Sequence, residues 1–539
     1  MKKIGKEKSK KSLLILLILS LIFSCISCNN DEEKDGAGYS FTYTLHGNPQ
    51  NLDPQLATDK SSLMIIKNMF SGLMRYDNEG NLAGNVAVSY DISDDGLKYS
   101  FVLRDDCHWY SEDGTEGIVT AHDFVYAFKR IYNPVTQSPY KEKFSFIKNA
   151  RSIIDGVTDY SQLGVYAINN TELVFELDRP CTEFLYLLTT APAMPCNKQF
   201  FEGTKARYGL DDESVISNGA FYMTQWSYDP YGNDNLIYMK RNYDNTAYDR
   251  IYPYMITFVI ERDKNEVVEN FESEYSDCIV TENRMKKSSF GGYKTQKYQV
   301  GSVGIIFNES CGISDNIKKS MAVNLDRAML QEIVTDNFEV AYGIVPESVN
   351  YSDENFTKRD FSDIFETESS DYMISESDID ELYSLYPDGL KILVKNEYDD
   401  GLMTQVITHW QDDPGIYIGI DYADSDSYYE RLDSGDYIMA LVEITSDDNS
   451  PYYFLKNVVD TISVTNKETL YTMLDSAFSS SEAGYSDIYN EVESDIISDV
   501  SYIPVFYKNN FLTYKNDVKD IIFDAFAQHI DFRYAKYFD

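Results

Sequence analysis

The sequence predicts an α/β fold of several domains, and three observations carry that expectation. Strand-like runs of period two alternate along the chain with helix-like runs of period 3.6, the order that builds layered α/β domains. The 539 residues suffice for two to four domains at about 150 residues each. Hydrophobic residues make up 43% of the chain, enough to fill the cores of such domains.

The elements follow in order. A first strand is expected at Phe41-Thr42-Tyr43-Thr44-Leu45. A rigid corner follows at Asn51-Leu52-Asp53-Pro54-Gln55, because the residue before a proline is pushed out of the α region. Ser61 to Leu73 places Ile66, Met69, Phe70 and Leu73 on one helical face. Leu97 to Arg104 puts Leu97, Tyr99, Phe101 and Leu103 on one strand face. Thr120-Ala121-His122-Asp123 is a capping-box pattern and opens a helix carrying Phe124, Ala127, Phe128 and Ile131. A strand at Leu173–Leu177 and a short helix at Thr182–Leu188 come next, the helix broken by Ala191-Pro192-Ala193-Met194-Pro195.

Asn218-Gly219 turns the chain into strands at Ala220–Met223, Leu236–Met239 and Met255–Ile260, with a helix at Asn265–Phe271. Val303 to Asn308 reads as a strand that opens a new unit. One helix is expected from Asp315 to Thr335, with Ile317, Met321, Leu325, Met329 and Ile333 at four-residue steps. Tyr351 to Asp388 is acidic and serine-rich, a surface insertion. Further strands are expected at Leu390–Val394, Ile416–Ile420, Ile438–Ile444 and Ile503–Tyr507, and a helix ending near Trp410.

The N-terminus reads as a targeting segment. Six lysines precede Leu13–Phe23, an apolar run of 11 residues interrupted only by Ser20. That is shorter than the roughly 20 residues a membrane-spanning helix needs and fits a signal-peptide core. Leu21-Ile22-Phe23-Ser24-Cys25 resembles a bacterial lipobox, in which the cysteine is lipidated and becomes the new N-terminus. Cys25 is the favoured site. Cys28, where the polar spacer starts, is the alternative. Residues 1–24 are then the signal peptide and 25–37 a spacer.

The formal charge is −41, and near −46 once the basic leader is removed, which excludes a generic nucleic-acid binder. The 45 tyrosines and 29 phenylalanines fit core packing or a ligand cavity lined by tyrosine. Cys107, Cys181, Cys196, Cys278 and Cys311 are scattered and odd in number. They make neither a disulfide framework nor a zinc site, and no single bridge can be assigned among them.

No catalytic set is found. The five histidines have no metal-ligand spacing, and phosphate-loop, nucleophile-elbow and dinucleotide motifs are absent. Ser145-Phe146-Ile147-Lys148 matches S-x-x-K without the K-T-G and S-D-N partners such enzymes use. Asp91-Ile92-Ser93-Asp94-Asp95-Gly96 begins like a calcium loop, but Val102 stands where the bidentate Glu belongs, so it reads as a turn between strands. The chain is expected not to be an enzyme and to need no cofactor or metal.

Several blocks, in order, resemble the oligopeptide/dipeptide-type (family 5) solute-binding proteins of bacterial ABC importers. They are Asn51-Leu52-Asp53-Pro54-Gln55, Phe70-Ser71-Gly72-Leu73, the run from Asp95 to Asp105, Trp109, Asp113-Gly114, and Thr120 to Arg130. Ser217-Asn218-Gly219-Ala220-Phe221, Leu325-Asp326-Arg327, Tyr342-Gly343-Ile344-Val345-Pro346, Ser434-Gly435-Asp436-Tyr437 and Ile503-Pro504-Val505-Phe506-Tyr507 continue the series. The spacing from Trp109 to Thr120 departs from the family pattern and implies a modified loop.

The resemblance implies a two-lobed, periplasmic-binding-protein-like fold of type II, with three domains and a hinge. Domain I would be 38–62, 213–298 and 506–539. Domain II would be 63–212, and domain III, the ligand-binding lobe, 299–505. Val300-Gly301-Ser302 and Ser501 to Pro504 are the implied hinges. The implied partners are an oligopeptide, ABC-transporter permease subunits and the membrane through a lipid anchor on its extracytoplasmic face. No nucleic acid is implied, and the chain would act as a monomer. A sensor without transport, a binding protein for another solute and, least favoured, a secreted hydrolase are the alternatives.

In that family an aspartate shortly before Asn-x-Pro meets the peptide's terminal ammonium, which needs a carboxylate when desolvated. Aligned on Pro451, Asp447 takes that position, with Ile444, Thr445 and Ser446 beside it. The alternative is one more surface acid. The family's tryptophan is Ile444 here, and Leu441 stands where a basic residue often meets the peptide carboxylate, which implies weak discrimination of a free C-terminus. His46, Gly47 and Asn48 follow the first strand, where the family makes main-chain ligand contacts. They serve equally as turn residues.

Overall fold

Two long antiparallel strands, Tyr293–Phe307 and Ile503–Lys515, run side by side through the middle of an eleven-stranded sheet. The computed structural model describes residues 38–538 apart from 78, 233–234, 248–249, 286–291, 350–360, 366–373, 399–400, 413–414, 447 and 481–484. Across the sheet the order is Phe221–Ser227, Leu236–Arg241, Pro253–Glu261, Tyr39–His46, Cys278–Thr281, Ile503–Lys515, Tyr293–Phe307, Met439–Thr445, Leu390–Lys395 and Ile418–Ala423. Phe338–Val340 pairs separately with the second long strand.

The two long strands change partners along their length. Phe511–Tyr514 pair with Cys278–Thr281 toward one end, and Gly301–Phe307 pair with Met439–Thr445 toward the other. Their mutual register shifts twice in between, at Gln299/Gly301 and at Val303/Gly304. Such bulges bend a strand and sharpen its twist. Gly304 admits no side chain, because a Cβ there would fall 2.2 Å from the Tyr502 ring.

Alternation along Val303–Phe307 feeds two cores. Val303, Ile305 and Phe307 point into the cluster with Met321 and Trp410. Ile306, with Val442 and Ile444 of the neighbouring strand, points into the cluster with Phe454, Leu474 and Ile496. Both faces are therefore dry, which is why the run reads as almost continuously apolar.

A separate four-stranded sheet, Ala87–Ile92, Lys98–Leu103, Glu172–Glu176 and Val165–Ala167, packs against the helix Ala121–Tyr132. The capping box of Thr120 and Asp123 is present. Phe128, Phe175 and Phe184 meet edge to face between these layers, with centroids 4.9 and 5.2 Å apart. The acidic run Asp91–Gly96 is the hairpin turn expected: the Ser93 hydroxyl donates to Asp95 at 2.6 Å and accepts from the Lys98 amide at 2.9 Å. The lengthened spacing after Trp109 is a hairpin of His108–Ser111 with Gly114–Ile118.

Four expectations need correction. The helix expected over Asp315–Thr335 is two helices, Asp315–Val323 and Arg327–Ile333. The side chain of Asp326 accepts from the Met329 amide at 2.8 Å and starts the second helix. The Asn324 side-chain amide turns back to the Ser320 carbonyl at 3.0 Å. A cap formed in mid-pattern overrode the periodicity. The helix expected over Ser61–Leu73 is Lys60–Met69, because Asn218 takes the next backbone groups. Its Oδ1 accepts from the Ser71 amide at 3.0 Å, and its Nδ2 donates to the Ser71 carbonyl at 2.8 Å. The strand expected to open a unit at Val303 begins ten residues earlier, at Tyr293, and the strand expected at Ile503–Tyr507 continues to Lys515.

Two buried arginines tie distant motifs together. Arg130, at the end of its helix, clamps Asp53 with both terminal nitrogens, donates to Gln55 Oε1 at 2.6 Å and lies 3.9 Å over the Phe201 ring. Gln55 in turn donates to the Met194 carbonyl at 2.9 Å. Arg327 donates to the carbonyls of Ala341, Ala322 and Pro504 at 3.1–3.2 Å and lies 3.8 Å over the Phe365 ring. Desolvation, with no carboxylate beside it among the described residues, pulls its pKa down to about 10.

Cys107, Cys181, Cys196, Cys278 and Cys311 are all buried free thiols. Burial pushes the pKa of Cys196 up to about 12 and raises those of Cys181 and Cys278 well above the ordinary thiol value. Cys25 and Cys28 lie outside the described residues.

Candidate functional site

Two cavities meet at Lys60, which lines both. The first, of about 700 Å³, is bounded by the end of the first strand, the helix Lys264–Glu272 and residues 279–285. The second, of about 560 Å³, is lined from several separate parts of the sequence, among them the helix Lys60–Met69, residues 140–194, the start of the helix Pro451–Thr461, the end of the helix Lys467–Phe478 and the turn near His529. The Lys60 ammonium is held at the boundary by Gln528 Oε1 at 2.7 Å.

His46, Gly47 and Asn48 line the first cavity. Gly47 has φ +95° and donates its amide to the Glu261 carbonyl at 2.7 Å, so the strand ends there in a turn that favours glycine. The Asn48 Oδ1 accepts from the Trp226 indole at 2.9 Å. The exposed His46 side chain stands at the rim.

The loop after Met439–Thr445 reaches the second cavity. Asp447 lies outside the described residues. Its neighbours Asp448 and Asn449 line the second cavity. Ile444 is 4% exposed and packs in the core with Phe454, so its main chain, not its side chain, is what the strand offers. Leu441 is likewise core, at 3%. Thr445 is exposed. Ser446 is buried and holds the loop, its hydroxyl donating to the Asp448 carbonyl at 2.9 Å and accepting from the Asp448 amide at 3.2 Å. The structure therefore sets the His46–Asn48 corner on one cavity, and Asp448 and Asn449 on the adjoining one.

Several side chains at the second cavity were not singled out in the sequence. The Lys143 ammonium binds the Asp448 carboxylate and lies 6.0 Å from the centre of the Tyr453 ring. Beneath them, Glu183 is 2% exposed and accepts from the Ser450 hydroxyl at 2.7 Å. Burial pushes its pKa up to about 8, with the Asp448 charge adding to the rise, so Glu183 is protonated at neutral pH. Tyr76, Tyr140, Tyr186, Tyr452 and Tyr453 line the walls. The tyrosine excess was the one signal that pointed here, but composition carries no positions.

Ser145 and Phe146 also line this cavity. Lys148, the other end of that S-x-x-K match, is bound to Glu176 at 2.7 Å on the surface, and the carboxylate raises its pKa. A lysine acting as base needs the opposite shift. Among the described residues no group of three or more His, Cys, Asp or Glu could hold a metal ion, and no helix is long and apolar enough to cross a membrane.

The profile of the bacterial extracellular solute-binding proteins, family 5 (middle), matches residues 81–465. The chain is 26% identical over 470 residues to the oligopeptide-binding protein OppA of Bacillus subtilis (strain 168), covering 84% of each chain. In structure it is similar to a periplasmic murein tripeptide-binding protein, MppA, in its unliganded open form. The TM-score is 0.70 at 22% identity, over 90% of this chain and 94% of that one. Listeria monocytogenes OppA bound to peptide gives a TM-score of 0.64 at 19% identity, over 93% and 100%. At these identities the structural likeness speaks for the fold alone.

Proposed function

The chain belongs to the family 5 extracellular solute-binding proteins of bacteria, and from that premise we propose that it captures oligopeptides in the paired cavities and delivers them to an ABC importer. At the level of the family it is a binding protein that works outside the cytoplasm, not an enzyme.

The observation that carries the peptide reading is the second cavity itself. It is walled by tyrosines, whose rings accept varied side chains, and it adjoins the loop that follows a strand edge. An extended peptide bonds mainly through its backbone, which suits a site that must take many sequences. Asp447, with Asp448 next to it on the cavity, would meet the terminal ammonium, and the main chain of Ile444, Thr445 and Ser446 would pair with the peptide. His46, Gly47 and Asn48 would contact it from the other cavity.

The three-domain division, 38–62 with 213–298 and 506–539, then 63–212 and 299–505, belongs to the same reading. The register shifts at Gln299/Gly301 and Val303/Gly304 support hinges in the paired long strands. A lipid on Cys25, or on Cys28, would hold the protein at the membrane, as a monomer serving the permease.

Native mass spectrometry of purified protein should reveal a co-purified peptide, and a sugar or metal chelate in its place would overturn the reading. Asp447→Asn should weaken calorimetric binding of an unmodified peptide by about tenfold or more, as loss of a charge-assisted bond does. N-acetylation of the peptide should do the same to the wild type. Equal affinities in all arms would remove Asp447 from the site.

A further inference from the structure

The charge balance of the second cavity is the reverse of the chain's. Six Lys and Arg side chains line it against four carboxylates, whereas the whole chain carries 47 basic and 88 acidic residues. Most of these cations are engaged: Lys143 by Asp448, Lys456 by Asp460, Arg151 by Glu142 and Lys60 by Gln528. Lys67, half-buried on the helix Lys60–Met69, has no hydrogen-bond or ion-pair partner among the described residues, although it lines the cavity.

The groups facing Lys67 do not neutralise it. Asp531 is already paired with Arg533 at 2.9 Å, and Arg75 adds another positive charge nearby. Asp524 is the remaining carboxylate, and its Oδ1 accepts from the amides of Phe526 and Ala527 at 3.1 and 3.0 Å. His529, which lines the same cavity, carries a buried Nδ1 with no hydrogen-bond partner. Burial and the Lys67 charge pull its pKa down to about 4, so the imidazole is neutral at pH 7. The Lys67 ammonium is thus left without a partner among the described residues, beside a neutral imidazole that already bonds the Ala527 backbone, and an ammonium is costly to bury in that state.

We propose that Lys67, beside the neutral ring of His529, forms an anion subsite that selects ligands carrying a carboxylate, so that the cleft prefers acidic peptides. The inference rests on the peptide reading above. The carboxylate would accept from the Lys67 ammonium, with the neutral His529 ring packed beside it. Its source is either an acidic side chain or the peptide's own C-terminus.

Calorimetry with alanine pentapeptides tests this. One series carries Glu at each position in turn, a second carries Gln at the same positions, and a third repeats the Gln series as C-terminal amides. For at least one position the wild type should bind the Glu peptide about tenfold more tightly than its Gln partner, or the free acid about tenfold more tightly than its amide. The first result assigns the subsite to a side chain and the second to the terminus. Lys67→Met should reduce whichever ratio is observed to below about twofold. Lys67→Arg, which keeps the charge, should retain it, so a folding defect in the methionine variant is told apart from loss of the anion partner. Ratios near one in the wild type, or a preference that survives Lys67→Met, would overturn the subsite while leaving peptide capture standing. Absence of binding by every peptide would overturn both.

Discussion

Arg130 and Arg327 are both nearly inaccessible, at 5% and 6% exposure, and both close their region by joining segments far apart in sequence. They are solvated in different ways. Arg130 faces a carboxylate, Asp53, which is itself 2% exposed, and the pair raises the arginine's pKa. Arg327 faces three carbonyl oxygens and an aromatic ring, with no carboxylate beside it among the described residues. The first arrangement creates mutual dependence, because removing either partner strands a buried charge. The second leaves only neutral acceptors behind. A buried arginine is thus not one kind of stabilising feature: what its removal exposes decides its effect.

The largest effect expected from this contrast is at the ion pair. Arg130→Met should destabilise the protein by about 3–5 kcal/mol, the cost of leaving one buried charge without its partner. Adding Asp53→Ala to it should restore part of the loss, and urea denaturation of the single and double variants measures both. Additive losses would mean that the two residues do not act as a pair.

Glu183 sharpens the contrast as an acid that forms no ion pair among the described residues. A carboxyl whose pKa rises from 4.5 to about 8 on folding keeps its proton in the folded chain across that interval, while the unfolded chain releases it. Stability therefore falls as pH rises from about 4.5 to about 8 and levels off above. Glu183→Gln should flatten this dependence and gain about 2–4 kcal/mol at pH 8 relative to pH 5, read from denaturation midpoints at the two pH values. An unchanged slope would place the titration elsewhere.

The smallest effect should come from Arg327→Met, about 1–2 kcal/mol, since a long apolar side chain still covers Phe365 and no charge is stranded. A loss as large as that of Arg130→Met would dissolve the distinction between the two arginines.

These knots also explain what was legible in the sequence. Asn51–Gln55 and Thr120–Arg130 read as separate motifs, and their bond through Asp53, Gln55 and Arg130 shows why they occur together. Leu325-Asp326-Arg327, the stretch before Tyr342 and Ile503-Pro504 meet in the same way at Arg327. Strand faces were legible because period two survives wherever one face is buried. Boundaries were not, where a side chain from elsewhere intervened: Asn218 ends a helix nearly 150 residues earlier in the chain.

The site was harder to read. Lys67 lies within a helix whose apolar face was recognised, and nothing in its neighbours marks it as unpaired. That property exists only once residues 524–533 come back beside it. Glu183 and Lys143 sit in stretches without a motif, and both acquire their character from the loop at 446–450.

The buried thiols have a practical consequence. Thiol reagents attack the thiolate, and all five cysteines among the described residues are buried, three with pKa values raised by burial. A chain starting after residue 37 should therefore be silent toward maleimide dyes while folded. One engineered cysteine on either side of the cleft could then carry a fluorophore pair without removing any native residue, and opening could be followed as a distance in single molecules.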